Sequence, residues 1–145
     1  MMKKYLSLLS VMLVSVFLVS CASTQNQGYV LDKQKLSKRS FALVSVNGKE
    51  IKIEKAPTLE FDENLGIFGG ICNRFFGQAE LKDSVLTAKQ LMSTNMFCAE
   101  SGLMDLESKF FQMLASGAKI TMQKDRLTLI QGDNTLVYAF KGFIK

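Results

Sequence analysis

The chain reads as an α+β protein: a curved, mainly antiparallel sheet with one principal amphipathic helix. Two observations carry that reading. Short apolar runs alternate with turn-forming Asn, Asp, Gly and Pro residues along most of the chain beyond residue 40. A single segment changes period, with Leu103, Leu106, Phe110, Met113 and Leu114 recurring at helical spacing. Beyond residue 19 no apolar run is long enough to span a bilayer, which takes roughly 20 residues.

In chain order, Lys3 and Lys4 precede an apolar run from Tyr5 to Val19, then Leu18-Val19-Ser20-Cys21. A basic start, a short apolar middle and a small residue at the cut describe a secretory signal over residues 1–20. The cysteine at the cut makes the segment resemble a bacterial lipobox, in which the thiol becomes a lipid thioether and cleavage falls just before it. Membrane attachment through acyl chains on Cys21 is therefore expected. Each buried methylene adds about 0.8 kcal/mol, so two or three chains anchor the protein. Ala22 in place of aspartate resembles the pattern of proteins sent to the outer membrane, on its periplasmic face in a two-membrane cell. Residues 21–38 are expected to be a lipidated N-terminus and flexible tether, small and polar from Ala22 to Gln27. Within it Asp32 could cap a single helical turn carrying Leu36, which would start the folded body. Lys33, Lys35, Lys38 and Arg39 read as solvated cations, with contact to anionic headgroups as the alternative.

The folded domain is expected over 39–145. A strand over 41–46 ends in Asn47-Gly48, the strongest short hairpin signal, with its partner over 50–53 where Ile51 and Ile53 alternate with charge. Pro57 breaks the chain before a strand at 58–61, and Asp62-Glu63-Asn64 turns it into 66–71. Further strands are expected at 78–81, 85–87, 120–123, 126–130 and 135–140, with turns at Lys124-Asp125 and Gly132-Asp133-Asn134. The helix of about four turns has Glu100 and Asp105 toward its start and Gly117 where a terminal glycine belongs.

The formal charge of +5 includes the two signal lysines, leaving about +3 on the mature chain. That is too mild for a nucleic-acid binder. With no histidine, Ser-His-Asp and Cys-His nucleophile arrangements are impossible, and the commonest metal ligand is missing. No metal site and no cofactor are expected. Glu60, Glu63, Glu80 and Asp83 lie near turns and read as solvated charge. A carboxylate-only hydrolase is the remaining catalytic alternative, but no spacing selects two of them. Gly69-Gly70 lacks the Gly-Lys-Ser/Thr ending of a phosphate-binding loop.

With Cys21 assigned to lipid, Cys72 and Cys98 are left, and in an oxidising compartment they read most simply as a structural disulfide. A redox-active pair would need CxxC spacing or a neighbouring histidine; two reduced, buried thiols are the other alternative. Around Cys72, Gly69-Gly70-Ile71-Cys72-Asn73-Arg74-Phe75-Phe76-Gly77 suggests an irregular path between two strands, with close approach or positive φ at its glycines. Asn73 could hold it by bonding its own backbone, and Arg74 by gripping carbonyls or a carboxylate. Direct ligand contact is the second reading of this segment.

On these residues the chain resembles the META domain family. The resemblance rests on Phe41-Ala-Leu-Val-Ser-Val-Asn-Gly48, Cys72-Asn-Arg-Phe75 with Gly77, Leu86-Thr-Ala-Lys89, and Thr94, Met96 and Cys98 ahead of the helix. It spans roughly Arg39 to Phe140. Many members have glycine where this chain has Ile71, and tryptophan early in the first strand where it has Phe41. The resemblance implies a partly open β-barrel or strongly curved sheet with the helix over one end, an envelope location, a link to heat or antibiotic stress, and no known enzyme activity. Asn73, Arg74, Phe75, Gly77, Thr94 and Met96 become the motif positions where binding is to be sought.

Two functional readings follow. One is a non-catalytic, lipid-anchored binding protein of the envelope. Its site is either an apolar hollow between sheet and helix, lined by Met92, Met96, Met104 and Met113, or the Asn73–Arg74 loop. Filling of the core is the plainer reading of those methionines. The other is an inhibitor or accessory subunit that presents loops to another envelope protein.

Overall fold

A computed structural model describes residues 30–145. The signal segment, Cys21 and the polar stretch from Ala22 to Gln27 lie outside the described residues. Eleven strands build one antiparallel sheet: β1 (Arg39–Val46), β2 (Lys49–Glu50), β3 (Thr58–Phe61), β4 (Gly66–Gly70), β5 (Arg74–Gln78), β6 (Glu80–Lys82), β7 (Val85–Thr87), β8 (Leu91–Ser93), β9 (Ala118–Gln123), β10 (Arg126–Gln131) and β11 (Asn134–Phe143). One helix, α1 (Leu103–Ser116), joins β8 to β9. Neighbours run β6-β7-β9-β10-β11-β1-β3-β4-β5-β8, with β2 hanging from β1.

Chain connectivity forces this sheet to curl. Only Ala79 separates β5 from β6, although β6 is one edge and β5 lies next to the other. Ala88, Lys89 and Gln90 likewise join β7 to the edge strand β8. The two flanks are thereby drawn together, and the sheet becomes a half-barrel. Its interior takes alternate residues of each strand: Phe41 and Leu43, Leu59 and Phe61, Ile67, Phe75, Leu127 and Leu129, Leu136 and Tyr138. The helix contributes Phe110, Met113 and Leu114, and the Phe75 ring lies 5.1 Å from that of Phe110. Gly102 (φ +85°) precedes α1 and Gly117 (φ +94°) ends it, both in the left-handed region glycine tolerates.

Several expectations are corrected by the packing. The folded body starts before residue 39. Asp32 caps a 3-10 turn (Lys33–Lys35), Leu31 and Leu36 are buried, and the Leu31 N–H donates to Ser84 Oγ at 3.0 Å. Residues 31–38 thus belong to the folded body, as the reading of an Asp32-capped turn carrying Leu36 expects, and not to a tether. The Asn47-Gly48 turn forms with both residues at positive φ, but its second strand stops at Glu50. Ile51 and Ile53 turn toward Leu103 and Leu106 of α1, and β1 finds its long partners in β11 and β3. Residues 78–81 form no single strand, because the chain crosses between flanks at Ala79. The edge strand β8 was not expected at all. Of the four methionines assigned to a hollow or the core, Met92, Met96 and Met104 are exposed and only Met113 is buried. A recess of about 280 Å³ lies against α1, lined by Val46, Ile51, Ile53, Leu103, Leu106 and Lys109 among others, and by no methionine.

Candidate functional site

The motif segment is a tight hairpin. β4 and β5 pair from Gly66–Gln78 up to Gly70–Arg74, and Ile71, Cys72 and Asn73 close the turn. None of Gly69, Gly70 and Gly77 has positive φ; close approach explains two of them. A Cβ on Gly69 would strike the Thr58 carbonyl. One on Gly77 would come within 2.7 Å of the Gln90 carbonyl oxygen and 2.8 Å of Leu91 Cδ2. Glycine at 77 thus lets β8 lie on β5.

The turn is held by the chain around it. Asn73 is buried, and its Oδ1 accepts the Met96 N–H at 2.7 Å and the Thr94 hydroxyl at 3.0 Å. Its Nδ2 donates to Glu107 Oε1 at 3.0 Å and to the Met96 carbonyl at 3.4 Å. Glu107, reaching in from α1, accepts the backbone N–H of Asn73 at 2.6 Å and of Cys72 at 3.1 Å on its Oε2. The Thr94 N–H donates to the Arg74 carbonyl, and the Arg74 N–H to Thr94 Oγ1. A disulfide joins Cys72 to Cys98, with Cα atoms 5.7 Å apart. Hairpin, residues 94–98 and helix are one stapled unit.

Asn73 therefore bonds a neighbouring segment where its own backbone was expected. The expected grip of Arg74 on carbonyls or a carboxylate is absent: its guanidinium is exposed and has no partner among the described residues. Phe75 is core, and Thr94 is spent on the turn. Met96 uses its backbone inward, and the residue is 67% exposed. Of the six motif positions, only Arg74 and Met96 offer side chains to a partner. Glu107 was missed, yet a signal existed: positions 103, 106, 107, 110, 113 and 114 share one helix stripe, and a carboxylate on that stripe asks for buried donors.

Arg74 stands in a cross-strand row with Gly70 and Thr58, and the next row carries Glu60, Phe68, Phe76 and Met92. A groove of about 1130 Å³ opens over this face, lined by Thr58, Glu60, Phe68, Gly70, Arg74 and Phe76 among others, with the disulfide at its wall. Bare Gly70 gives it depth. Phe76 and Met92 are 55% and 59% exposed, and Phe97 beside the staple is 85% exposed. Of the carboxylates considered as catalysts, Glu60 accepts a hydrogen bond from Ser40 Oγ at 2.8 Å and Glu63 pairs with Lys38. Glu80 and Asp83 are exposed. Among the described residues no three acidic, histidine or cysteine side chains converge as a metal site would require. Away from the groove, burial pushes the Tyr138 phenol well above its ordinary ionisation range.

A curled antiparallel sheet, one helix and a Cys-Asn-Arg hairpin stapled to the segment before that helix define a small half-barrel class. The META domain model matches residues 34–141, and the chain belongs to the META domain family. It is 36% identical over 126 residues to the heat shock protein HslJ of Escherichia coli strain K12, covering 86% of this chain and 89% of that protein. An NMR structure with 36% identity matches at a TM-score of 0.70, over 75% of this chain and 94% of the other. A second NMR structure, from Burkholderia xenovorans, shares the fold at a TM-score of 0.60 and 22% identity, over 75% and 86% of the two chains. Neither the family name nor that of HslJ designates an enzymatic reaction.

Proposed function

We propose that the chain is a non-catalytic binding protein of the cell envelope, anchored by acyl chains on Cys21 and active in tolerance of heat stress. Its mature form begins at Cys21, and residues 22–29 tether the body to the periplasmic face of the outer membrane in a two-membrane cell. It works by engaging a protein partner through the stapled hairpin and its groove. The observation that carries this reading is the division of labour at the motif. Asn73, Thr94 and Glu107 are consumed in holding the hairpin, while Arg74 projects over a groove with exposed Phe76 and Met92 beside it. A rigid scaffold presenting Arg74, with Lys55 and Lys141 also lining the groove, and large apolar side chains is suited to recognition. The exposed methionines favour this surface over an interior hollow. Support for a stress role comes from the likeness to a heat shock protein.

Survival of heated cells tests the proposal. Cys21→Ser is expected to move the protein out of the membrane fraction and to lower survival. Arg74→Glu should lower survival with the protein still membrane-bound, and Arg126→Glu on β10 should change neither. Full survival with both Cys21→Ser and Arg74→Glu contradicts the reading.

A further inference from the structure

The two ends of the main strand order are built differently. β6 reads Glu80-Leu81-Lys82 with Asp83 in the turn beyond, charges of the kind that discourage strand addition. β8 lies in a stretch without a single charge from Gln90 to Ala99. The Thr94 N–H faces β5, where it donates to the Arg74 carbonyl. By alternation the main-chain groups of Ser93 point away from the sheet, and they have no backbone partner among the described residues. Met92 pairs across from Phe76 on the outer face, and Met96 and Phe97 continue the exposed apolar surface beyond the strand. This edge is also held firmly, by the close approach at Gly77, the Asn73 bonds and the Cys72–Cys98 bridge.

We infer that β8 accepts an extended, uncharged segment of another polypeptide, with alternating apolar side chains, as an added strand. This rests on the reading of the domain as a protein-binding module and names the form of the partner. Main-chain bonds to the outer side of Ser93 supply affinity. Alternate side chains of the guest lie beside Met92 on the outer face, one strand beyond Phe76, where methionine adapts to many shapes. Such extended apolar segments are what partly unfolded chains expose.

The test uses the full chain purified in detergent and the fluorescently labelled peptide Lys-Thr-Val-Ser-Phe-Thr-Val-Lys with blocked ends, whose six central residues are the uncharged segment and whose terminal lysines keep it in solution. Saturable binding is expected. Ser93→Pro removes the outward N–H and leaves the β5 ladder intact. It should weaken binding about tenfold, as expected for one lost backbone bond at an unchanged contact, with the thermal midpoint retained. Methylating one alternate set of peptide amides should abolish binding, and methylating the other set should not. If Ser93→Pro fails to fold, Met92→Lys places a charge on the same edge and should weaken binding likewise. The inference is overturned by absence of binding, by binding indifferent to the edge variants and to both methylations, or by a dimer of the chain that Ser93→Pro dissolves without peptide being bound. In any of these outcomes, lost heat survival with Arg74→Glu would leave the protein-binding reading standing; retained survival would remove that reading separately.

Discussion

Glu107 puts a carboxylate on the apolar stripe of α1, which is costly unless its oxygens find donors. It finds three, the Cys72 and Asn73 amides and the Asn73 side chain. Glu107→Ala leaves those donors facing a cavity, so unfolding free energy measured in urea should fall by about 3 kcal/mol. A loss under about 1 kcal/mol would mean the hairpin holds its shape without the helix. Tyr138 gives a prediction in pH. An unfolded tyrosine ionises near 10.0, whereas the buried phenol keeps its proton to higher pH. Above that value the unfolded state binds fewer protons than the folded one, so stability declines as pH rises, by up to about 1.4 kcal/mol per pH unit. Below it this contribution is fully present. Tyr138→Phe should flatten the alkaline limb relative to the parent chain in urea titrations at pH 9 to 11.5; identical slopes would contradict burial of the phenol.

At the scale of elements, the hairpin and the segment before α1 are joined twice, by hydrogen bonds and by sulfur. Replacing Cys72 and Cys98 by serine frees a loop of 26-residue separation, and chain entropy puts the loss near about 3.5 kcal/mol. The Asn73 bonds should keep residues 94–96 in place, which amide exchange at Met96 would report. Gly77→Ala acts the other way: it forces β8 off β5, so the Thr94 amide should lose exchange protection while the β10–β11 pair keeps its own. What was legible in the sequence follows from these distances. The helix, the Asn47-Gly48 turn and the last three strands are set by neighbours a few residues apart, and pattern alone finds them. β8 is a strand only because Gly77, fourteen or more positions upstream, lets it approach. Residues 78–81 alternate like one strand, yet the sheet needs a crossing at Ala79. The site was half legible for the same reason. Cys72, Asn73 and Cys98 stood out by type, but the role of Glu107 depends on a contact 34 positions away.

For the whole molecule, a domain of about this size has one core and no spare interior, and the curled sheet fills its own with side chains from both flanks and from α1. Phe75→Ala would empty part of that interior beside Phe110 and Phe111 and should lower unfolding free energy by about 4 kcal/mol in denaturant titration. With the interior filled in this way, the proposed binding falls to the surface. The groove face with Arg74, Phe76 and Met92, continued by Met96 and Phe97, gathers several of the exposed large apolar side chains among the described residues. The most direct measurement replaces Arg74 by a photo-crosslinking residue in living cells and compares it, before and after heating, with the same residue at Arg126 on β10. A defined protein adduct from position 74 that grows on heating, with none from position 126, is the predicted result. Equal labelling from the two positions, or no adduct from position 74 at either temperature, would contradict the account.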